Sequence, residues 1–101
     1  MKINDYRGHQ VELTMERWQH IVTEHPEMKG FQKKLPEILS EPDLVKRSKK
    51  DKEVLLYYRY YADILGGKYL LVAAKIQRRS FVLTCYITDR IKEGDVIWQK
   101  N

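Results

Sequence analysis

The side chains in this chain best suited to chemistry are one histidine, two strand cations and a row of hydroxyls. His25 ends an apolar helical stripe, Lys75 interrupts an apolar run, and Arg59 stands among tyrosines. Thr84 and Tyr86 carry hydroxyls at alternate positions of one strand-like segment. An imidazole can transfer a proton, and cations can stabilise a phosphorane. This set is suited to RNA cleavage, because the substrate's own 2′-hydroxyl then serves as the nucleophile.

In such a reaction one group accepts the 2′-hydroxyl proton and another protonates the leaving 5′-oxygen. The sequence leaves open which of the two roles His25 takes. It also leaves open plainer interpretations: His25 as a hydrogen-bonded residue at a helix end, and Lys75 and Arg59 as cations on a solvated sheet face. His9 and His20 are expected at the surface.

Motifs for metal-dependent or covalent catalysis are missing from the sequence. The three histidines and one cysteine show none of the usual zinc-ligand spacings. There is no glycine-rich phosphate loop and no Gly-x-Ser-x-Gly elbow. Cys85 falls on a predicted core face, where a small buried hydrophobe is expected rather than a nucleophile. We therefore expect no metal and no cofactor.

The composition indicates one folded domain with an anionic partner. The chain has 101 residues, of which 43% are hydrophobic and 33% charged, and its net charge is +5. These values favour a single globular domain over 1–101, with RNA as the first partner to consider and a membrane surface as the second. No apolar run is long enough to span a membrane, no signal peptide is evident, and one cysteine fits a reducing compartment. A cytoplasmic protein without a membrane partner is expected; the oligomeric state stays open.

Cations and aromatic residues supply candidates for nucleic-acid binding. Residues 46–52 hold five cations in seven positions, in a predicted hairpin loop that could contact phosphates or could simply be solvated. The tyrosines of 57–61 could stack on unpaired bases or belong to the core. The residues predicted to bind nucleic acid are Arg47, Lys49, Lys50, Tyr57 and Arg90.

Two helical segments are predicted to lie before the strands. Thr14 can cap a helix that begins at Met15 and ends at His25, before Pro26. The carbonyls at the end of this helix would favour a charged imidazole. A second apolar stripe runs over 28–39, where Pro36 predicts a kink or a fresh turn.

The rest of the chain has strand periodicity. Strands are predicted over 44–48, 54–61, 69–76 and 81–88, while 1–13 and 96–98 are weaker candidates. The expected fold class is therefore α+β, with two N-terminal helices packed on one face of a roughly four-stranded antiparallel sheet.

Strand faces and register decide whether the candidate residues meet. Alternation places Phe81, Leu83, Cys85 and Ile87 toward the core, and Val82, Thr84, Tyr86 and Thr88 on the opposite face. A two-residue turn at 78–79 would pair Lys75 with Val82 and Ala73 with Thr84; a three-residue turn would reverse the faces. Arg59 shares a face with Tyr57 and Tyr61, but the sequence does not say whether Lys75 joins that row.

Several short pieces spread over 13–98 together resemble a nuclease superfamily. They are Trp18-Gln19-His20-Ile21, His25-Pro26-Glu27-Met28, Pro42-Asp43-Leu44-Val45, Leu56-Tyr57-Tyr58-Arg59-Tyr60-Tyr61, Val72-Ala73-Ala74-Lys75, Phe81-Val82-Leu83-Thr84-Cys85-Tyr86 and Thr88-Asp89-Arg90. In these pieces the chain resembles the small phage-type branch of the barnase, EndoU, colicin and RelE-like nucleases. The resemblance implies a barnase- or RelE-like fold and metal-independent ribonuclease activity, often as a toxin.

The resemblance also implies a set of site residues. A helix-end histidine, basic residues on the middle strands and a last-strand Ser or Thr correspond here to His25, Arg59, Lys75 and Thr84, with Tyr86 as a helper. Cys85 departs from the small residue that usually precedes this tyrosine. The leading hypothesis is a toxin-like, metal-independent endoribonuclease. The alternatives are a non-catalytic RNA-binding module and a partner-binding domain of a toxin–antitoxin type system, with an antitoxin or inhibitor protein as partner.

Overall fold

Seven strands form one mixed sheet, and two short helices cover part of one side. The computed structural model describes residues 1–101. The strand order across the sheet is β1-β2-β6-β5-β4-β3-β7, with β2 parallel to β6 and all other neighbours antiparallel. The strands are β1 Lys2–Asn4, β2 Gln10–Glu12, β3 Leu44–Ser48, β4 Val54–Tyr61, β5 Lys68–Lys75, β6 Ser80–Thr88 and β7 Gly94–Gln99.

The two helices are α1 Met15–Glu24 and α2 Leu35–Ser40. The Thr14 hydroxyl accepts a hydrogen bond from the backbone N–H of Arg17 at 3.0 Å, which caps α1. Pro36 stands in the first turn of α2, where its missing N–H costs nothing. Two 3₁₀ turns, Pro26–Met28 and Gln32–Lys34, connect the helices. Neither helix has the length and hydropathy needed to cross a bilayer.

The predicted fold of two N-terminal helices on a roughly four-stranded antiparallel sheet is wrong. The sheet has seven strands and is mixed. In the second apolar stripe, the predicted fresh turn with Pro36 near its start is confirmed, as the six-residue α2. The β1–β2 hairpin extends the sheet beyond β6 through a parallel pairing of Val11 with Ser80. At the other edge, β7 returns to pair with β3. Both additions depend on partners distant in sequence, for which short local patterns carry little signal.

The sheet has two unequal faces. The face covered by the helices, here called the helix face, contributes Val45, Leu55, Tyr57, Val72 and Cys85 to the main core of the molecule. The opposite face, here called the outer face, carries a smaller buried cluster. Its members are Val54, Leu56, Tyr58, Leu71 and Ala73, with Leu44, Tyr69, Leu83 and Tyr86 packed against them.

A bulge in β6 sets the faces of its side chains. Ala73 pairs with Thr84 but Ala74 pairs with Val82, so β6 holds one extra residue at this point. Ala73–Thr84 pairing is therefore confirmed, whereas Lys75 pairs with Phe81 rather than with Val82. The predicted core positions of Phe81 and Leu83 are also wrong, because the extra residue shifts the alternation before the bulge by one.

Candidate active site

His25 is held at the junction of α1 and β6. Its backbone N–H donates to the Ile21 carbonyl at 2.7 Å and so closes the last turn of α1, and Pro26 prevents the helix from continuing. Its ring lies 5.0 Å from the Tyr86 ring, centroid to centroid, at an interplanar angle of 37°. The side chain remains 31% exposed, with Nδ1 at 3.7 Å from a Glu27 carboxylate oxygen. An imidazole in this position is both oriented and accessible to a substrate.

Lys92, which belongs to none of the candidate sets predicted from the sequence, lies beside the same tyrosine. Its Nζ is 5.9 Å from the centre of the Tyr86 ring. Its backbone N–H donates to the Tyr58 hydroxyl at 3.0 Å, and its carbonyl accepts from Lys46 Nζ at 2.8 Å. These contacts hold the connection between β6 and β7 over the outer face. The position of Lys92 is set by these contacts with strands distant in sequence, and no local sequence pattern predicts it.

Thr84 shares the outer face with Tyr86, two residues away along β6. Lys75 is also on this face but lies farther from Tyr86. Tyr86 stands opposite Leu71 of β5, and Lys75 comes four residues after Leu71, which is about 13 Å along the strand. His25, Tyr86 and Thr84 therefore form one group, and Lys75 lies at its periphery.

The charge of Lys75 is already partnered. Its Nζ is 3.1 Å from the Asp51 carboxylate and 3.8 Å from that of Glu53. The hydrogen bond to Asp51 raises the pKa of Lys75. The pKa of Asp51 is lowered by the backbone N–H of Glu53 and then by Lys75. A phosphate that approaches Lys75 has to compete with these carboxylates.

Arg59 points away from the group. It lies on the helix face with Tyr57 and Tyr61, where Nε is 3.3 Å from a Glu37 carboxylate oxygen. A guanidinium N–H donates to the Glu41 carbonyl. The hydrogen bond from the Tyr61 hydroxyl lowers the pKa of Glu37, which keeps that partner charged. Because Arg59 lies on the face opposite Tyr86 and Thr84 and is held by Glu37 and Glu41, it does not belong to the group around His25.

Four of the residues predicted to bind nucleic acid are partly or fully exposed, and one is not. Lys49 pairs with Glu93 at 3.3 Å, and a guanidinium N–H of Arg47 donates to the Lys52 carbonyl at 2.7 Å. Lys50 and Arg90 are exposed. Tyr57 is fully buried, which is incompatible with stacking on a base.

The buried Tyr57 hydroxyl instead has a structural partner. It donates to an Asp5 carboxylate oxygen at 2.6 Å. Burial, followed by this bond, raises the pKa of Tyr57 far above its ordinary value. Burial likewise raises the pKa of the Cys85 thiol to about 12, which leaves it protonated and unreactive at neutral pH.

Comparison with known proteins does not assign the chain to a family. No family model matches it, and no match was found among the curated proteins or the solved structures. The resemblance to the nuclease superfamily stays a prediction. A functional assignment therefore has to rest on the contacts around His25 and Tyr86.

Proposed function

We propose that this protein is a metal-independent endoribonuclease that cleaves single-stranded RNA at the outer face beside His25. The observation that carries the proposal is the contact between the tilted rings of His25 and Tyr86, in which an accessible imidazole is held by a helix end and a strand. Lys92 adds a positive charge at the same tyrosine. A proton-transfer group, a cation and an aromatic surface for a base are thus brought together.

The reaction requires no covalent participation by the protein. The 2′-oxygen attacks the adjacent phosphorus, the bond from phosphorus to the 5′-oxygen breaks, and the products are a 2′,3′-cyclic phosphate and a 5′-hydroxyl. His25 takes the proton of the 2′-hydroxyl or delivers a proton to the leaving oxygen. Proton transfer of this kind contributes about 10²- to 10⁴-fold to a rate.

The other groups differ in their distance from the contact between His25 and Tyr86. Lys92 stabilises the charge on the phosphorane, and Tyr86 and Thr84 position the phosphate and the neighbouring base. Lys75, which lies about 13 Å from Tyr86 along the strand direction, binds a flanking phosphate. Arg59 and Tyr57 have no role in this scheme, because both lie on the helix face.

The nuclease resemblance and the net charge of +5 are consistent with this activity in the cytoplasm. A ribonuclease acting there without restraint would damage its host. We therefore include in the proposal a toxin-like role and an antitoxin or inhibitor protein that covers the outer face.

The test is incubation of the purified protein with total RNA in excess chelator, followed by gel analysis. Cleavage is expected for the wild type and for His20→Ala, and a loss of at least about 100-fold for His25→Ala. His20 is a matched control because it lies on the same helix and pairs with Glu24 in solvent, away from Tyr86. Equal activity of the two variants would refute the assignment of His25.

The second candidate is a non-catalytic RNA-binding module on the same sheet. The observation that favours it is that two predicted catalytic cations, Lys75 and Arg59, already have carboxylate partners. This candidate predicts salt-sensitive RNA binding, with log K falling by about 0.7 per unit of log salt for each phosphate contact. Binding without any product would favour it over the nuclease.

A further inference from the structure

A polar groove runs along the edge of the sheet where β2 meets β6, outside the site described so far. Its widest part, of about 520 Å³, has no hydrophobic side chain in its lining. Lys2, His9, Arg78 and Arg79 line it, against a single carboxylate, that of Glu12. None of the ion pairs of the molecule involves Lys2, Arg78 or Arg79. This part of the groove therefore has a net positive charge, because three cations outside any ion pair face one carboxylate.

The two arginines are presented by an ordered turn. The Ser80 hydroxyl accepts from the backbone N–H of Gln77 at 3.1 Å and donates to the Gln77 carbonyl at 3.0 Å. Ser80 is itself buried and paired with Val11 in the sheet. The turn between β5 and β6 is thus fixed at both ends, and Arg78 and Arg79 project from it into solvent.

His9 is oriented toward the groove by a buried carboxylate. Its Nδ1 is 2.9 Å from an Asp5 oxygen, and Asp5 also accepts from the backbone N–H groups of Arg7 and His9 and from the Tyr57 hydroxyl. Because an ionised carboxylate only accepts hydrogen bonds, Nδ1 carries the hydrogen. The Nε2 atom of His9 is then the nitrogen left to contact a ligand.

The groove continues toward the outer face. An adjoining hollow shares Glu12, Arg79 and Ser80 with the widest part and adds Arg17 and Phe81. A guanidinium N–H of Arg17 donates to the Leu83 carbonyl at 3.4 Å, which places this cation beside β6. Phe81 stands opposite Lys75, on the outer face. From Ser80 to Tyr86 the path follows six residues of β6, about 20 Å.

We propose that this edge groove binds the sugar–phosphate backbone of single-stranded RNA and leads the strand to the outer face. Lys2, Arg17, Arg78 and Arg79 contact successive phosphates, and His9 Nε2 contacts one of them when protonated. The proposal rests on the proposed function for its substrate class, but it assigns binding to a surface that the cleavage scheme does not use. A basic track of several nucleotides is a common device for single-strand binding.

The test measures binding and cleavage separately. Fluorescence anisotropy with a 2′-O-methyl 12-mer, which has no 2′-hydroxyl nucleophile, compares the wild type with Arg78→Ala/Arg79→Ala over a range of salt concentrations. Loss of two phosphate contacts is expected to weaken binding about 10- to 30-fold near 0.1 M salt and to reduce the salt slope by about 1.4. The control is Lys33→Ala/Lys100→Ala, which removes the same charge from exposed positions outside the groove.

The outcomes separate the two proposals. Weaker binding by the groove variant than by the control, with RNA still cleaved at saturating concentration, supports the groove. If wild type cleaves RNA while both double variants bind alike, the groove proposal is overturned and the nuclease stands. If wild type neither binds nor cleaves RNA, both are overturned. Circular dichroism of each variant shows whether its fold is retained.

Discussion

Among single residues, the contacts of the three histidines distinguish their roles. His20 pairs with Glu24 in solvent, His9 forms a hydrogen bond with buried Asp5, and the His25 ring packs against that of Tyr86. Only the His25 ring contacts an aromatic ring, that of Tyr86, which also lies beside Lys92 and two residues from Thr84. We therefore assign proton transfer to His25 and phosphate contact to His9.

Two variants separate the role of the Tyr86 ring, which holds the His25 imidazole in place, from the role of the Tyr86 hydroxyl. Tyr86→Phe keeps the ring against His25, so cleavage is expected to remain within about tenfold of wild type. Tyr86→Ala removes the ring and lets the imidazole move, so a loss of about 100-fold is expected, since misplacement by about 1 Å costs this much. Single-turnover rates with a short oligoribonucleotide measure both. A larger loss for phenylalanine than for alanine would contradict the positioning role.

The hydrogen bond between Tyr57 and buried Asp5 allows a test of how a single side chain contributes to stability. Tyr57→Phe removes one hydrogen-bond donor from this carboxylate, and we expect the free energy of unfolding to fall by about 1–3 kcal/mol. Tyr60→Phe is the control, because Tyr60 is 49% exposed and a change within about 0.5 kcal/mol is expected. Urea denaturation measures both. A neutral effect of Tyr57→Phe would mean that the bond contributes nothing to the fold.

Among the secondary-structure elements, strands with dense apolar and aromatic content could be predicted with their boundaries, whereas the edge strands within 1–13 and around 96–98 were only weak candidates. The segments 44–48 and 54–61 are strands at the predicted boundaries, and 69–76 is displaced by one residue. In contrast, β1 and β2 have three residues each, and this hairpin joins the sheet through the pairing of β2 with β6, which is distant in sequence. Long-range pairing therefore outweighed local pattern in setting the fold.

The candidate site, like the fold, could be predicted from the sequence only in part. Alternation in β4 correctly grouped Arg59 with Tyr57 and Tyr61, but the pattern carried no information on which face this row would occupy. The bulge in β6 altered the faces of Phe81 and Leu83, because one extra residue reverses an alternation of period two. Lys92 was missed because a loop brings it to Tyr86.

Gly94 links strand β7 to this site. A Cβ at Gly94 would clash with the Arg47 carbonyl of β3, and its φ of +156° is rarely adopted by other residues. Gly94→Ala is expected to lower the free energy of unfolding by about 1–3 kcal/mol and to disturb the connection that carries Lys92.

Gly30→Ala is the matched control for that change. Gly30 also has a positive φ, +88°, but nothing lies within 4 Å of the added Cβ, so backbone strain alone remains, at about 1 kcal/mol. Urea midpoints and cleavage rates are compared for the two variants. If Gly94→Ala loses no more stability and no more activity than Gly30→Ala, β7 does not hold Lys92 in place.

For the whole molecule, the buried thiol and tyrosine hydroxyls make the free energy of unfolding fall at alkaline pH. Burial raises the pKa of Cys85 from 9.0 to about 12 in the folded state, so the thiol ionises first in the unfolded chain. This contribution to stability is intact below about pH 9 and is lost as the pH rises toward 12, at about 1.4 kcal/mol per pH unit. Tyr57 and Tyr61, whose pKa values are also raised by burial, act in the same direction above about pH 10.

Cys85→Ala isolates the thiol from these tyrosines. The variant is expected to be less stable than wild type at pH 8, because a buried side chain is truncated, but to lose less stability between pH 8 and pH 10.5. Urea midpoints at the two pH values give the comparison. Equal losses in the two proteins would show that Cys85 is not protected from ionisation.

The claim on which the account depends is that this fold cleaves RNA through the 2′-hydroxyl, with His25 as the proton-transfer group. The most direct measurement uses a labelled DNA oligonucleotide containing one ribonucleotide, incubated with wild type and with His25→Ala in excess chelator. The account predicts a single cut on the 3′ side of the ribonucleotide, a 2′,3′-cyclic phosphate on the upstream product, and at least a 100-fold slower cut by His25→Ala. No cut by the wild type, cuts at deoxynucleotides, or an equal rate for both proteins would contradict it.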